Sequence, residues 1–191
     1  MTTTHYQTGF KTQKRVVLER GVKQLGLSCS DEQIDQLLTY LEMLDRWNQA
    51  YNLTAIKDPL EMIGLHLLDS LAVSPMLSGE SCIDVGTGAG LPGIPLAIMN
   101  PKKKFTLLDS NGKKTRFLFQ AKIELKLSNI QEVNTRVEKY LPEHGYDHVL
   151  SRAFSSLSDM VSYCDHLLTI GGSFLALKGR IDKTELSDIP K

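Results

Sequence analysis

Asp84, Gly86, Gly88, Gly90 and Asp109 are the residues of this chain whose types and spacing suit chemistry. The run Cys82-Ile83-Asp84-Val85-Gly86-Thr87-Gly88-Ala89-Gly90-Leu91-Pro92-Gly93-Ile94-Pro95 joins a short apolar stretch with an internal acid to a turn with glycines at alternate positions. A segment able to start a helix follows. Strand, glycine turn and helix form the arrangement in which an α/β sheet takes a nucleotide-like ligand at the carboxyl ends of its strands. Three glycines so close together cost backbone entropy, which points to a ligand that must approach the backbone closely. The dinucleotide fingerprint is GxGxxG; here Leu91 holds the sixth position, so the pattern departs from it. Asp84 precedes the turn where a pyrophosphate would sit, and a cationic sulfonium amino acid tolerates that acid better. Asp109 follows the turn by about 20 residues, the spacing at which an acid accepts hydrogen bonds from ribose hydroxyls.

The elements that must position these residues fall into two parts. Residues 1–10 read as frayed. Val16, Val17, Val22 and Leu25 suit a helix from Thr12 to Leu27, with Gly21 a weak point. Ser30-Asp31-Glu32-Gln33 reads as a capping box for a second helix carrying Ile34, Leu37, Leu38, Leu41, Leu44 and Trp47, ending near Tyr51-Asn52. Asp58-Pro59-Leu60-Glu61 starts a third, expected to end by Pro75. Beyond Gly79 the pattern alternates strand and helix. Strands are expected at Ser81–Val85, Phe105–Leu108, Ile130–Val133, His148–Ser151 and Ser173–Lys178, with helices over 114–126, 136–140 and 156–169. That alternation implies a doubly wound, mostly parallel sheet with helices on both faces. The expected division is a helical module over 1–76 and a Rossmann-like ligand-binding domain over 77–191.

The bulk properties narrow the classes. Lys+Arg and Asp+Glu are 22 each, so no global field attracts RNA or an anionic membrane, and nucleic-acid binding needs a local patch. Cys29, Cys82 and Cys164 form no CxxC pair, which argues against a zinc ribbon or disulfide framework and for a cytoplasmic location. The first residues lack the apolar core of a signal peptide, and no stretch is apolar enough to span a membrane.

Further motifs occur in order: Trp47-Asn48-x-x-Tyr51-Asn52-Leu53-Thr54, His66-x-x-Asp69-Ser70, the glycine turn with Leu91-Pro92-Gly93-Ile94-Pro95, Leu107-Leu108-Asp109-Ser110, Ser151-Arg152-Ala153-Phe154 and Ala176-Leu177-Lys178-Gly179. The turn matches the D/E-x-G-x-G-x-G motif of class I methyltransferases. Together the motifs resemble the ribosomal RNA small subunit methyltransferase G family, formerly called glucose-inhibited division protein B, over about residues 12–180. The resemblance implies a class I methyltransferase fold and transfer of a methyl group from S-adenosyl-L-methionine to N7 of a guanine, position 527 by the usual count, in 16S rRNA. It implies cofactor contacts at Gly86 and Leu91, at Val137 and Glu138, and at Arg152; Gly88, Gly90 and Asp109 join them on the turn and ribose arguments. The usual C-terminal antiparallel strands are expected to be absent, since only Arg180–Lys191 follows Gly179.

Guanine N7 carries an in-plane lone pair free of any proton, so displacement at the methyl carbon requires no side chain as acid or base, and no metal. Asn52, Thr54, His66 and Lys178 are the candidates for positioning. Three have a second reading: Asn52 and Thr54 as a helix cap and a turn, His66 as a buried histidine bonded to Asp69 or Ser70; Lys178, ending strand five at the same edge, is a candidate to reach RNA phosphate. Arg152 has a surface ion pair as its alternative. Lys102-Lys103-Lys104 is expected at the amino end of the sheet, away from the ligand. Lys113, Lys114 and Arg116 lie at the carboxyl edge, better placed for RNA, and Lys11, Lys14, Arg15 and Arg20 are a possible basic face on the first helix. The balanced charge suits modest affinity for naked RNA and a small-subunit ribonucleoprotein particle as the substrate; a monomer is expected. Three alternatives stay open at this point: a small-molecule methyltransferase, a cofactor-binding ribosome-associated regulator without transferase activity, and a nucleotide-dependent oxidoreductase.

Overall fold

A computed structural model describes the backbone of residues 2–179 and 185–186, and side chains within those spans from residue 12 onward. Helices α1 (Thr2–Gln24) and α2 (Asp31–Tyr51) come first. The expected third helix is broken into α3 (Pro59–Met62), a π-helical turn over Ile63–Leu68, and α4 (Asp69–Leu71). Strands β1 (Ser81–Val85), β2 (Lys104–Asp109), β3 (Ile130–Asn134), β4 (Tyr146–Ser151) and β5 (Leu168–Ala176) then alternate with α5 (Gly93–Met99), α6 (Gly112–Glu124) and α7 (Leu157–Cys164). A 3-10 turn, Val137–Lys139, stands where a helix over 136–140 was expected.

The caps follow from local chemistry. Ser30 Oγ accepts from Gln33 N at 3.2 Å and Gln33 Oε1 accepts from Ser30 N at 2.9 Å, closing both halves of the capping box. Asp58 Oδ1 accepts from the backbone of Leu60 and Glu61. Asn52 ends α2 in the left-handed region at φ 50°, so the C-cap reading of this residue holds.

The sheet order is β3-β2-β1-β4-β5 and every pairing is parallel. The order reverses between β1 and β4, which puts the switch point beside the glycine turn. Side chains alternate across the sheet as the period of two demands. Cys82, Phe105, Leu107 and Leu150 face a core shared with Leu18, Leu37, Leu44, Ile94 and Phe117. Ile83, Val85, Leu108 and Val149 face a smaller core with Met160, Cys164 and Leu167 of the α7 side. The N-terminal helices thus share the larger core with the sheet. Gly21 lets α1 approach the π-turn, since a Cβ there would lie 2.3 Å from a Leu68 methyl.

Three expectations are corrected. Helix α1 starts at Thr2, ten residues upstream of the first apolar periodicity. The helix over 156–169 stops at Cys164, and β5 begins at Leu168 because a Gly171-Gly172 bend and a register shift opposite Tyr146 and His148 let the strand start early. Among the described residues β5 is the last strand.

Candidate functional site

The glycine turn is clipped to β2. Gly86 N and Thr87 N both donate to Leu108 O, at 2.8 and 3.1 Å. Gly86, Gly88 and Gly90 all have positive φ, which compels glycine at each. Their surroundings differ. A Cβ on Gly86 would lie 2.7 Å from Ala153 Cβ, and one on Gly90 would lie 2.4 Å from Ile94 Cδ1. At Gly88 nothing lies nearer than 3.9 Å. So the chain's own packing already demands glycine at 86 and 90, while a Cβ at Gly88 would meet only open space.

Asp84 is fully buried. Its Oδ2 accepts from Thr87 Oγ1 at 2.7 Å and Gly93 N at 2.8 Å, bracing the start and the end of the turn. Its Oδ1 has no partner. Burial pushes its pKa up to about 7, against the pull of the Thr87 and Gly93 hydrogen bonds and of Arg152. Tyr40 of α2 donates to Ala89 O at 2.8 Å, a tie between the helical module and the turn that 49 residues of separation hid from the sequence.

Asp109, 5% exposed, ends β2. Oδ2 accepts from Gly88 N at 2.9 Å and Oδ1 from Asn111 N at 2.8 Å, with Lys114 Nζ 3.6 Å from Oδ2. A cavity of about 320 Å³ opens here, lined by Gly86, Asp109, Val137, Glu138, Ala153 and Phe154 among others. Gly86, Asp109, Val137 and Glu138 therefore meet, and Gly88 joins them through its bond to Asp109. Gly90 turns into the α5 packing. Leu91 packs on the larger core, and neither residue borders this cavity. Phe154 and Asn134 (whose side chain donates to Asp109 O at 3.0 Å) were missed in the sequence. Lys114, expected at the carboxyl edge, stands there and borders this cavity beside Asp109.

Arg152 borders a second cavity, of about 450 Å³, with Asp69, Ala72, Val73, Ala176, Leu177 and Lys178. It donates to Leu65 O of the π-turn at 3.2 Å, so it is no surface ion pair. The Ser151 hydroxyl donates to Val85 O at 2.8 Å and accepts from Ala153 N at 3.0 Å, holding Arg152 and Ala153 between the two cavities. Lys178 Nζ is held by Ser155 O and by the Glu185 carboxylate.

His66 is buried, with Nε2 2.9 Å from Thr54 Oγ1 and Nδ1 unpartnered. Desolvation lowers its pKa, so it is neutral at pH 7. The expected bond to Asp69 or Ser70 is absent: the Ser70 hydroxyl reaches the His66 carbonyl instead, one helical turn back. The basic face expected on α1 is also corrected. Lys14 pairs with Glu42, and Arg15 with Glu19, Asp31 and Asp35. Arg20 is exposed, and the side chain of Lys11 lies outside the described residues. No three His, Cys, Asp or Glu side chains among the described residues gather to hold a metal.

A sheet ordered 3-2-1-4-5 with an acid-braced GxGxG turn and an acid closing β2 matches the methyltransferase resemblance, and comparison with known proteins settles the family. Residues 33–191 match the profile described as rRNA small subunit methyltransferase G. The chain belongs to this family. It is 54% identical over 173 residues to ribosomal RNA small subunit methyltransferase G of Shewanella frigidimarina, covering 91% of this chain and 84% of that one. With the protein of the same name from Photobacterium profundum the identity is 53% over 170 residues, covering 89% and 82%. Among solved structures, the S-adenosylmethionine-dependent methyltransferases of Thiobacillus denitrificans and Geobacter sulfurreducens, both in complex with S-adenosyl-L-homocysteine, share the fold at a TM-score of 0.51 and 14% identity. They cover 70% and 71% of this chain, which spans 54% of each of theirs. The fold is that of the class I methyltransferases, and the cofactor of the family is S-adenosylmethionine.

Proposed function

We propose that this chain, as a member of the methyltransferase G family, methylates guanine N7 at position 527 of 16S rRNA within a small-subunit particle in the cytoplasm. The observation that carries the reading is the junction of two cavities at the carboxyl edge, one suited to a nucleoside and the other open to a base.

The residues of the first cavity fit the cofactor. Asp109 is a carboxylate with two of its lone-pair sites engaged, which leaves capacity for ribose hydroxyls. Asp84 lines neither cavity, but its Oδ1, buried beneath the turn, is an acceptor without a donor that an ammonium group at the turn would satisfy. Val137 and Phe154 offer apolar walls to an aromatic base. When bound, S-adenosylmethionine supplies a methyl group on a sulfonium, an activated carbon with a good leaving group. Nothing in the chain need accept a proton from N7. The rate then comes from holding the base in line, which is positioning chemistry. Neutral His66 and Thr54 brace the π-turn, which leads directly into Asp69 on the wall of the second cavity. No helix among the described residues is long and apolar enough to cross a membrane.

The test is methyl transfer from labelled S-adenosylmethionine to small subunits lacking the modification, followed by strand scission specific for N7-methylguanine. Scission at position 527 is the expected result. Transfer to protein-free 16S RNA at an equal or higher rate would argue against the particle as substrate, and cofactor binding without any transfer would favour a regulator.

A further inference from the structure

The second cavity contains a carboxylate that nothing in the fold uses. Asp69 is exposed, and no hydrogen bond or ion pair engages it among the described residues, although Arg152 lines the same cavity. Its backbone is fixed: the N–H of Asp69 bonds to Gly64 O across the π-turn, and the next residue, Ser70, bonds back to His66 O. A π-turn shifts the register of everything after it, and such turns gather at functional sites. Here the shift presents Asp69 to the carboxyl ends of β4 and β5, next to the Arg152-Ala153 pair that divides the two cavities. Arg152 spends one donor on Leu65 O and keeps the others of its fork.

We propose that Asp69 selects guanine, accepting hydrogen bonds from N1–H and the 2-amino group while Arg152 donates to O6. The inference rests on the reading of the chain as a guanine-N7 methyltransferase. The Watson–Crick edge of guanine presents acceptor, donor, donor in sequence. An arginine beside an aspartate presents the complement. Held by that edge, guanine leaves N7, on its Hoogsteen edge, free of any hydrogen bond. Adenine presents the lone pair of N1 to the carboxylate, which repels it. A cavity of about 450 Å³ has room for one base, and reading a splayed-out base on its Watson–Crick edge is how single-stranded RNA is commonly recognised.

The experiment is single-turnover methyl transfer at saturating S-adenosylmethionine on reconstituted small-subunit particles carrying guanosine or inosine, which lacks the 2-amino group, at the target position. The wild-type chain is expected to favour guanosine by about tenfold or more, the discrimination of one good bidentate contact. In Asp69→Ala the ratio falls to about one, and in Asp69→Asn, which keeps one acceptor, it falls partway. Cofactor affinity, read by calorimetry, stays within about twofold of wild type in both. A wild-type ratio of one overturns the proposal. So does an unchanged ratio in Asp69→Ala, or a loss of cofactor affinity that accounts for its loss of rate. Absence of any transfer by the wild-type chain overturns the activity itself, a result distinct from transfer with an unaltered ratio.

Discussion

The two edges of the sheet are finished differently. At the amino edge polar side chains close on backbone. Asp147 Oδ2 accepts from Glu80 N, Ser81 N and Ser81 Oγ, at 2.8, 2.9 and 3.0 Å. His148 uses both ring nitrogens, Nε2 on Ser78 O at 2.7 Å and Nδ1 on Ser173 Oγ at 2.8 Å. A carbonyl only accepts, so Nε2 donates to Ser78 O. Lys103 reaches Gly79 O. At the carboxyl edge and its flanking π-turn lie Asp84 Oδ1 and His66 Nδ1, the buried side-chain polar atoms without a partner among the described residues, and the unengaged Asp69. A buried polar atom left unpaired costs free energy that evolution removes where nothing requires it. One edge is complete as a fold. The other is complete only with its ligands.

The contrast is broken or upheld most sharply by a pair of substitutions. Asp109→Asn should weaken S-adenosylmethionine about 100-fold, the loss of charge-assisted hydrogen bonds worth about 3 kcal/mol in all. It should cost about 1 kcal/mol of stability, because an amide satisfies only one of Gly88 N and Asn111 N. Asp147→Ala should do the reverse. Three hydrogen bonds at the amino edge disappear, stability falls by about 1–3 kcal/mol, and cofactor affinity stays put. Calorimetry and denaturant titration on both variants give the answer. If the two lose affinity alike, the edges are not separate in function.

A smaller effect, of opposite design, concerns pH. The Asp84 carboxyl rises from 3.8 to about 7 on folding. The folded state therefore holds a proton that the unfolded state releases. Stability from this group is present below about pH 4 and is lost as pH climbs toward 7, by at most about 1.4 kcal/mol per pH unit. Asp84→Asn should flatten that slope in thermal melts between pH 5 and 8. A bound ammonium group should flatten it in the wild type as well, by pulling the carboxyl back to its charged form. Persistence of the full slope with saturating S-adenosylhomocysteine would show that Oδ1 does not face the ligand. The chemical step, with no acid or base in it, should stay flat over the same range in single-turnover assays.

What could be read in advance follows the range of the interactions. The capping box at Ser30, the Asp58 cap, β1 and the Asp109 at the end of β2 are written in neighbouring residues, and each stands where local chemistry puts it. The π-turn over Ile63–Leu68 has no such signature. Its residues carry ordinary helical spacing, and the Leu65 carbonyl is met by Arg152, far along the chain. The same holds for Tyr40 on Ala89 O. The glycines of the turn were legible as a motif but not in their cause, because Ala153 and Ile94 crowd Gly86 and Gly90 only once β4 and α5 are in place. Charge was the most deceptive guide. Lys14, Arg15 and Lys114 read as candidates for phosphate and instead pair with acids; helical spacing reveals Arg15 with Glu19, but not Arg15 with Asp35, Lys14 with Glu42 or Lys114 with Asp109.

That leaves a short account of which cations remain to meet RNA, and the two edges divide them again. Lys113 and Arg116 are exposed at the start of α6, on the carboxyl edge, while Lys102 ahead of β2 and Lys104 at its first position are exposed on the amino edge. A substrate whose base enters beside Arg152 and whose backbone then follows the carboxyl edge crosses the first pair. Each phosphate contact adds about one unit to the slope of log affinity against log salt. Lys113→Ala should therefore lower that slope by about one unit and weaken binding only a few-fold at moderate salt. Lys102→Ala should leave both unchanged. The difference is small, but it has a sign that charge counting cannot supply, since both variants remove one lysine from a chain of zero net charge. Equal slopes for the two would mean that RNA reaches the carboxyl edge by a path that avoids α6.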